Sequence, residues 1–177
     1  MNTPPEGEDL MEHLLRKYGR IALERYGKPG NALDMAGKQV GVKFNPARRV
    51  VQTMGCHQLM AYCNEVLPEN TNLLMDILFR KYFEEAADVS NVDVLVAAAI
   101  ECGLPLEGAS NVVRGGRYKA EILNDIHSSQ RTQGISGVPH VMIQGLKVGS
   151  KPISFSGALP SAVIAEQLVL AAHIVEV

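Results

Sequence analysis

The spacing of apolar residues predicts a chain that is helical for most of its length and extended only near its end. Apolar side chains recur at helical intervals in six segments, and three of these follow a threonine or serine that is able to cap a helix. The predicted helical segments are 9–26, 53–67, 71–82, 90–103, 107–113 and 117–131. In the last of them Tyr118, Ile122 and Ile126 are expected to face inward.

The period changes from helical to extended after Gly134. Residues 138–143 and 153–156 are predicted to form two strands joined by a loop, and Pro160 suits the first position of a closing helix. Earlier in the chain, residues 40–44 alternate enough to predict one short strand between glycines that break helices.

The segment Val141-Met142-Ile143 is apolar on both faces, which is typical of a strand covered by helices on each side. The chain offers it few strands as neighbours: its hairpin partner and at most one further short segment. We therefore predict an exposed apolar sheet edge, a partner chain that covers it, or poor solubility.

Composition indicates one globular domain over residues 1–177. The chain is 46% hydrophobic and 20% charged, with a net charge of -2, so it has enough apolar residues for a core and no basic field for nucleic acid. No apolar run reaches membrane-span length. Three cysteines, an odd number with no pair at CxxC spacing, suit a reducing compartment, and the predicted location is cytoplasmic.

The cysteines are interpreted as buried, unreactive thiols with one weak candidate for chemistry. Cys56 and Cys63 lie seven residues apart in one predicted helix, about 10 Å by helix rise, so they cannot form a disulfide while that helix holds. Cys56 is next to His57 near a helix N-terminus, where the dipole lowers a thiol pKa. The alternative is a His57 bonded to nearby backbone beside an inert thiol. Histidine spacing matches no common zinc motif, so no metal is expected.

Pro139 stands at the entrance of the first predicted C-terminal strand, after a turn-rich approach from Gly134. A proline cannot donate to a strand ladder, and the bond before it is the only kind that adopts cis cheaply. Two interpretations follow: a trans proline that opens a strand, or a cis Val138-Pro139 bond that turns backbone polar groups toward an extended peptide. The second makes Val138, Pro139 and His140 candidate substrate-binding residues.

Four stretches of the chain resemble DsbA-like thioredoxin-fold proteins. The runs GISGVPHVMI (134–143) and FSGALP (155–160) are similar to the ELGITGVPFF-type run and SGAQP-type turn that precede the last helix of that family. Residues 2–19, with NTPPEGED and RKYG, and the run TMGCHQL (53–59) resemble the FrnE-like branch. Gln52 stands where that branch usually has asparagine, and His140 where it usually has an aromatic residue.

The resemblance implies an α/β, thioredoxin-like fold with a large all-helical insertion over about 53–132 and a C-terminal ββα unit over 134–177. It also implies a cis Val138-Pro139 bond and thiol–disulfide oxidoreductase activity. The family's CxxC, or the serine that replaces it, lies upstream of the residues that 1–9 resemble. We therefore expect the N-terminal strand–helix unit to be missing, and the chain to be weakly active or inactive alone.

Two other functions stay open. One is a glutathione-dependent isomerase or kappa-type transferase, for which glutathione would be the cofactor; such relatives tend to hold the glutamyl end with a Ser-Asp turn, where this chain has Ser156-Gly157. The other is a non-catalytic module that binds peptide or a partner. Expected partners are an extended peptide or thiol substrate and a second copy that covers the sheet edge, with no nucleic acid or membrane partner and no other cofactor.

Overall fold

The computed structural model of the chain describes residues 3–4, 6–26, 28, 30–131, 134–145 and 151–173. It divides into two compact units, Met1–Ile122 and Leu123–Val177. Each unit is described by itself, and the single domain predicted over residues 1–177 stays a prediction.

Eight α-helices and four short strands make up the described parts of the chain. The helices are α1 (Leu10–Tyr26), α2 (Ala32–Gln39), α3 (Met54–Val66), α4 (Thr71–Phe79), α5 (Val92–Glu101), α6 (Leu106–Gly115), α7 (Lys119–Arg131) and α8 (Ser161–His173). A 3₁₀ turn (Pro68–Asn70) precedes α4, and a π-helical turn (Arg80–Glu84) follows it. The strands are β1 (Glu8–Asp9), β2 (Arg49–Val50), β3 (His140–Ile143) and β4 (Ile153–Ser156).

The predicted helices from residue 53 onward are confirmed, although the capping residues differ in detail. Asn91, and not Ser90, caps α5: its side-chain oxygen accepts a hydrogen bond of 2.8 Å from the backbone N–H of Asp93. Gly103, with φ of 90°, ends that helix because only glycine adopts this backbone region without cost. Several neighbouring polar residues are able to cap a helix. Sequence patterns therefore locate a helix more accurately than they locate its first residue.

The short strand predicted over residues 40–44 is wrong. Instead, the backbone N–H groups of Val40 and Val42 donate to the carbonyl of Gly37, at 3.0 and 2.9 Å, so the chain folds back on the end of α2. Phe44 packs over Gly37, where a Cβ atom would lie 2.8 Å from the ring. Alternating residues therefore serve a helix-end turn rather than a sheet.

The first unit contains the well-buried core, formed mainly by α3 to α6. Leu59, Leu74 and Leu95 are fully buried, and Tyr118 at the start of α7 joins them. α3 approaches its neighbours closely at small residues: a Cβ at Gly55 would lie 2.6 Å from Leu95 Cδ1, and one at Gly108 would overlap the Tyr62 hydroxyl. This core depends on contacts of α3 with α4, α5 and α6 and of α5 with α6.

The second unit contains most of α7, an antiparallel hairpin and the helix α8. β3 pairs with β4 in a register that places His140 opposite Ser156 and Ile143 opposite Ile153, and α8 lies against β3. Among the described residues from 123 to 173, Ala171 alone is classed as buried. The predicted ββα order is present, but it encloses little apolar surface. Ile126, expected to face inward, is 38% exposed.

Candidate functional site

The start of β3 forms an exposed backbone segment. Val138 is 92% exposed, and the Val138–Pro139 peptide bond is cis. The Pro139 carbonyl accepts a hydrogen bond of 2.9 Å from the backbone N–H of Gly157, which closes the hairpin at this end. Because Pro139 has no N–H, the regular ladder begins only at His140. Val138 and Pro139 thus form a bend that leads directly into β3 at His140.

His140 is oriented by the neighbouring strand. Its Nδ1 atom lies 2.8 Å from the Ser156 hydroxyl oxygen, and the two residues are paired across the hairpin. Opposed residues of an antiparallel pair point to the same face, so the contact follows from the register. The ring sits directly beside the exposed Val138–Pro139 segment in the chain. Our sequence interpretation missed Ser156 as its partner, although the hairpin register would have indicated it.

Cys56 lies in the first turn of α3, in the first unit. Its thiol donates to the carbonyl oxygen of Val89 at 3.5 Å, and burial raises the pKa of the Cys56 thiol to about 11. The lowered pKa expected from the helix N-terminus is therefore wrong, because removal from water outweighs the favourable dipole. At neutral pH this thiol is protonated.

The other residues singled out in the sequence do not build a nucleophilic centre around Cys56. The side chain of His57 is exposed, whereas Cys63 and Cys102 are both buried. All three cysteines are free thiols. Cys56 and His57 belong to the first unit and residues 138–140 to the second.

A polar cluster near β1 was also missed. Glu8 accepts hydrogen bonds from Arg16 Nε and Nη2, each at 2.7 Å, and its Oε2 lies 2.9 Å from His13 Nδ1. These hydrogen bonds, with that from Arg16 first, lower the pKa of Glu8 to about 2. The cluster ties β1 to α1. His13 has Glu8 as a hydrogen-bond partner within this cluster.

Within the described ranges, no group of three or more histidine, cysteine, aspartate or glutamate side chains is arranged to hold a metal ion. No helix in the same residues is long and apolar enough to span a membrane.

A helical block followed by a hairpin and a helix is the order of elements expected for a thioredoxin-like fold with a helical insertion. A family model described as the DSBA-like thioredoxin domain matches residues 28–169. The chain belongs to this family, which confirms the family and the fold implied by the sequence. No curated protein matches it.

Among solved structures, the chain is similar to a probable DsbA oxidoreductase from Streptomyces coelicolor. The TM-score is 0.74 at 22% sequence identity, and the match covers 93% of this chain and 67% of that chain. At this identity the likeness concerns the fold.

Proposed function

We propose that this chain is a thiol–disulfide oxidoreductase-like protein in which residues 138–140 bind an extended peptide or thiol substrate. The proposal rests on the exposed Val138, which lies two residues before β3, in a member of the DSBA-like family. Membership of the FrnE-like branch is part of the same proposal and rests on the resemblances at residues 2–19 and 53–59.

The backbone of β3 offers a surface for such a substrate. In the part of the chain that the structure describes, β3 pairs with β4 alone, so its second edge has no partner strand. An extended peptide gains main-chain hydrogen bonds by adding to an open strand edge, and neighbouring side chains select its sequence. His140, held by Ser156, supplies a polar group beside that edge.

The same chain is proposed to be weakly active or inactive in thiol–disulfide exchange when tested alone. Its sequence has three cysteines and no CxxC pair. The thiolate is the attacking species in this chemistry. Burial raises the pKa of the Cys56 and Cys102 thiols to about 11, so neither is a ready nucleophile at neutral pH.

A non-catalytic peptide-binding module is the second candidate, and the raised pKa of Cys56 favours it. The glutathione-dependent alternative gains no support, because the Ser156 hydroxyl is already engaged by His140 Nδ1.

We further propose a reducing, cytoplasmic location, on the basis of three free cysteines. We also propose that a second copy covers the exposed apolar residues of the second unit. Light scattering after gel filtration tests the latter; a soluble monomer that melts cooperatively would contradict it.

Binding is tested with a fluorescent, reduced and unfolded peptide, followed by fluorescence anisotropy. Val138→Asp should weaken binding about tenfold, because a bound peptide would have to remove water from the new carboxylate beside β3. Val40→Asp is the matched control, because Val40 is also an exposed valine, at 76%, in the first unit. Equal affinity of the two variants, or no binding by the unmodified chain, would contradict the proposed site.

Catalysis is tested separately by reduction of insulin with dithiothreitol. We expect no rate above that of dithiothreitol alone. Turnover that disappears when Cys56 is replaced by serine would show that the chain is an active oxidoreductase by itself. Turnover that survives replacement of all three cysteines would exclude a thiol mechanism.

A further inference from the structure

Two buried cysteines that are distant in sequence meet at one end of the helical core. Cys63 lies near the C-terminal end of α3, and Cys102 follows the last residue of α5. They are 0% and 1% exposed and both are free thiols. Neither contributes to the peptide-binding surface proposed for residues 138–140.

The packing of α3 on α5 brings these ends together. Near the N-terminal ends, the missing side chain of Gly55 lets α3 approach Leu95 so closely that a Cβ would lie 2.6 Å from Leu95 Cδ1. Cys63 is eight residues beyond Gly55, and Cys102 is seven beyond Leu95. At a rise of about 1.5 Å per residue these steps are of nearly equal length, so the two thiols lie at similar distances along their helices from the Gly55–Leu95 contact.

Both thiols point at the same 3₁₀ turn. Cys63 Sγ donates to the Leu67 carbonyl at 3.6 Å, and Cys102 Sγ donates to the Asn70 carbonyl at 3.5 Å. The backbone N–H of Asn70 in turn donates to the Leu67 carbonyl at 3.0 Å. The two sulfur atoms are therefore tied to the two ends of one short turn.

The Cys63 side chain also contributes to the titration of Cys102. Burial, followed by the charge and hydrogen bonding of the Cys63 side chain, raises the pKa of the Cys102 thiol to about 11. Because both sulfur atoms donate to carbonyl groups of the same short turn, they can approach one another for thiol–disulfide exchange once that turn opens.

We propose that Cys63 and Cys102 form a reversible dithiol–disulfide site that links α3 to α5 when the chain meets a low-molecular-weight disulfide. One thiolate attacks the disulfide RSSR, forms a mixed disulfide and releases RSH. The second thiolate attacks the protein sulfur of that mixed disulfide, closes the Cys63–Cys102 bond and releases a second RSH. The protein loses two electrons and two protons, and the oxidant is reduced to two thiols.

The 3₁₀ turn controls access to this pair. Its residues Pro68 and Glu69 are exposed, as is Gly103 beside it, so the turn to which both sulfur atoms donate lies at the surface. Asn70 Nδ2 holds it in place with a 2.8 Å hydrogen bond to the Cys102 carbonyl. Oxidation consequently requires local opening of the turn and is slower than that of an exposed thiol.

The test treats the full chain with 2-hydroxyethyl disulfide and follows free thiols and peptide masses. We expect loss of two of the three thiols, one linked peptide pair joining Cys63 to Cys102, and complete reversal by dithiothreitol. The linked chain should melt roughly 10 °C higher, because a loop of this length is closed in the unfolded state. The Cys56→Ser variant should lose the same two thiols.

Two comparisons make the result decisive. In 6 M urea all cysteine pairings should appear, whereas the native chain should give the 63–102 link alone. An identical mixture in both conditions would overturn the proposal.

Asn70→Ala should speed native oxidation about fivefold by removing the hydrogen bond that closes the turn. Asn64→Ala, at an exposed position of α3, should leave the oxidation rate unchanged. Retention of three thiols, or modification of Cys56 only, would also overturn it. None of these readouts depends on peptide binding.

Discussion

The helical part of the first unit and the second unit, which contains the hairpin and is called the hairpin unit below, differ sharply in how much apolar surface they bury. The buried cluster, formed mainly by α3 to α6, contains fourteen core residues between positions 59 and 118. By contrast, the described residues from 123 to 173 include one buried residue, Ala171. In that unit Leu168, Val169 and Leu170 are each 54% exposed and Met142 is 53% exposed.

The difference shows that similar apolar content produces burial only where neighbouring elements cover one another. Consecutive helices joined by short turns pack their apolar faces together within one stretch of chain. In the second unit the strands and α8 leave several large apolar side chains exposed, and a two-stranded hairpin is marginal in water. The hairpin unit is thus suited to contact with other molecules.

The largest effect is expected from separating the two regions. A fragment of residues 1–131 should retain helical circular dichroism and melt cooperatively, because it contains the buried cluster. A peptide of residues 134–177 should be unfolded alone, since it buries little apolar surface. A folded hairpin peptide, or an unfolded helical fragment, would break the comparison.

Matched leucine truncations test the same contrast inside the intact chain. Leu95→Ala removes a fully buried side chain and should lower the free energy of unfolding by about 3 kcal/mol. Leu168→Ala, at a half-exposed position of α8, should change it by less than about 0.5 kcal/mol. Urea denaturation measures both; equal losses would mean that the second region is better packed than its exposure indicates.

Two glycine replacements in α6 test how closely this helix packs against α3. Gly108→Ala introduces a methyl group against the Tyr62 hydroxyl and should lower the free energy of unfolding by about 2 kcal/mol. Gly115→Ala meets no atom within 4 Å and should be neutral or stabilising, within about 0.5 kcal/mol, since alanine favours helix. Denaturation of both variants in parallel separates close packing from helix propensity.

Alkaline pH should lower the free energy of unfolding of the helical region, by less than Leu95→Ala or Gly108→Ala. Burial raises the pKa of Cys56 to about 11 and that of Tyr118 to about 12. The folded state therefore keeps protons that the unfolded state releases, so this stabilisation is full below pH 9 and declines as pH rises toward 11–12. At pH 10 Cys56 alone should account for about 1 kcal/mol. Cys56→Ser should flatten the dependence, measured from denaturation midpoints between pH 8 and 11; an unchanged slope would contradict the assignment.

Much of the fold was predictable because helical periodicity is a local signal. The segments after residues 53, 71 and 90 were located from apolar spacing, and the change to extended structure after Gly134 indicated the hairpin. The exposed segment at Val138 was singled out from a proline at a strand entrance. The error at residues 40–44 arose because alternation alone does not reveal whether a partner strand or a helix end lies opposite.

By itself, the sequence determined the family, the order of helices and hairpin, and the absence of a CxxC pair. Only the tertiary structure decided the state of its cysteines. The helix start of Cys56 suggested a reactive thiol, but the packing around it raises its pKa instead. Cys63 and Cys102 lie 39 residues apart in the sequence, yet both thiols donate to carbonyls of the same 3₁₀ turn because α3 packs against α5. Local patterns specify elements, whereas desolvation and long-range contact depend on what each element packs against.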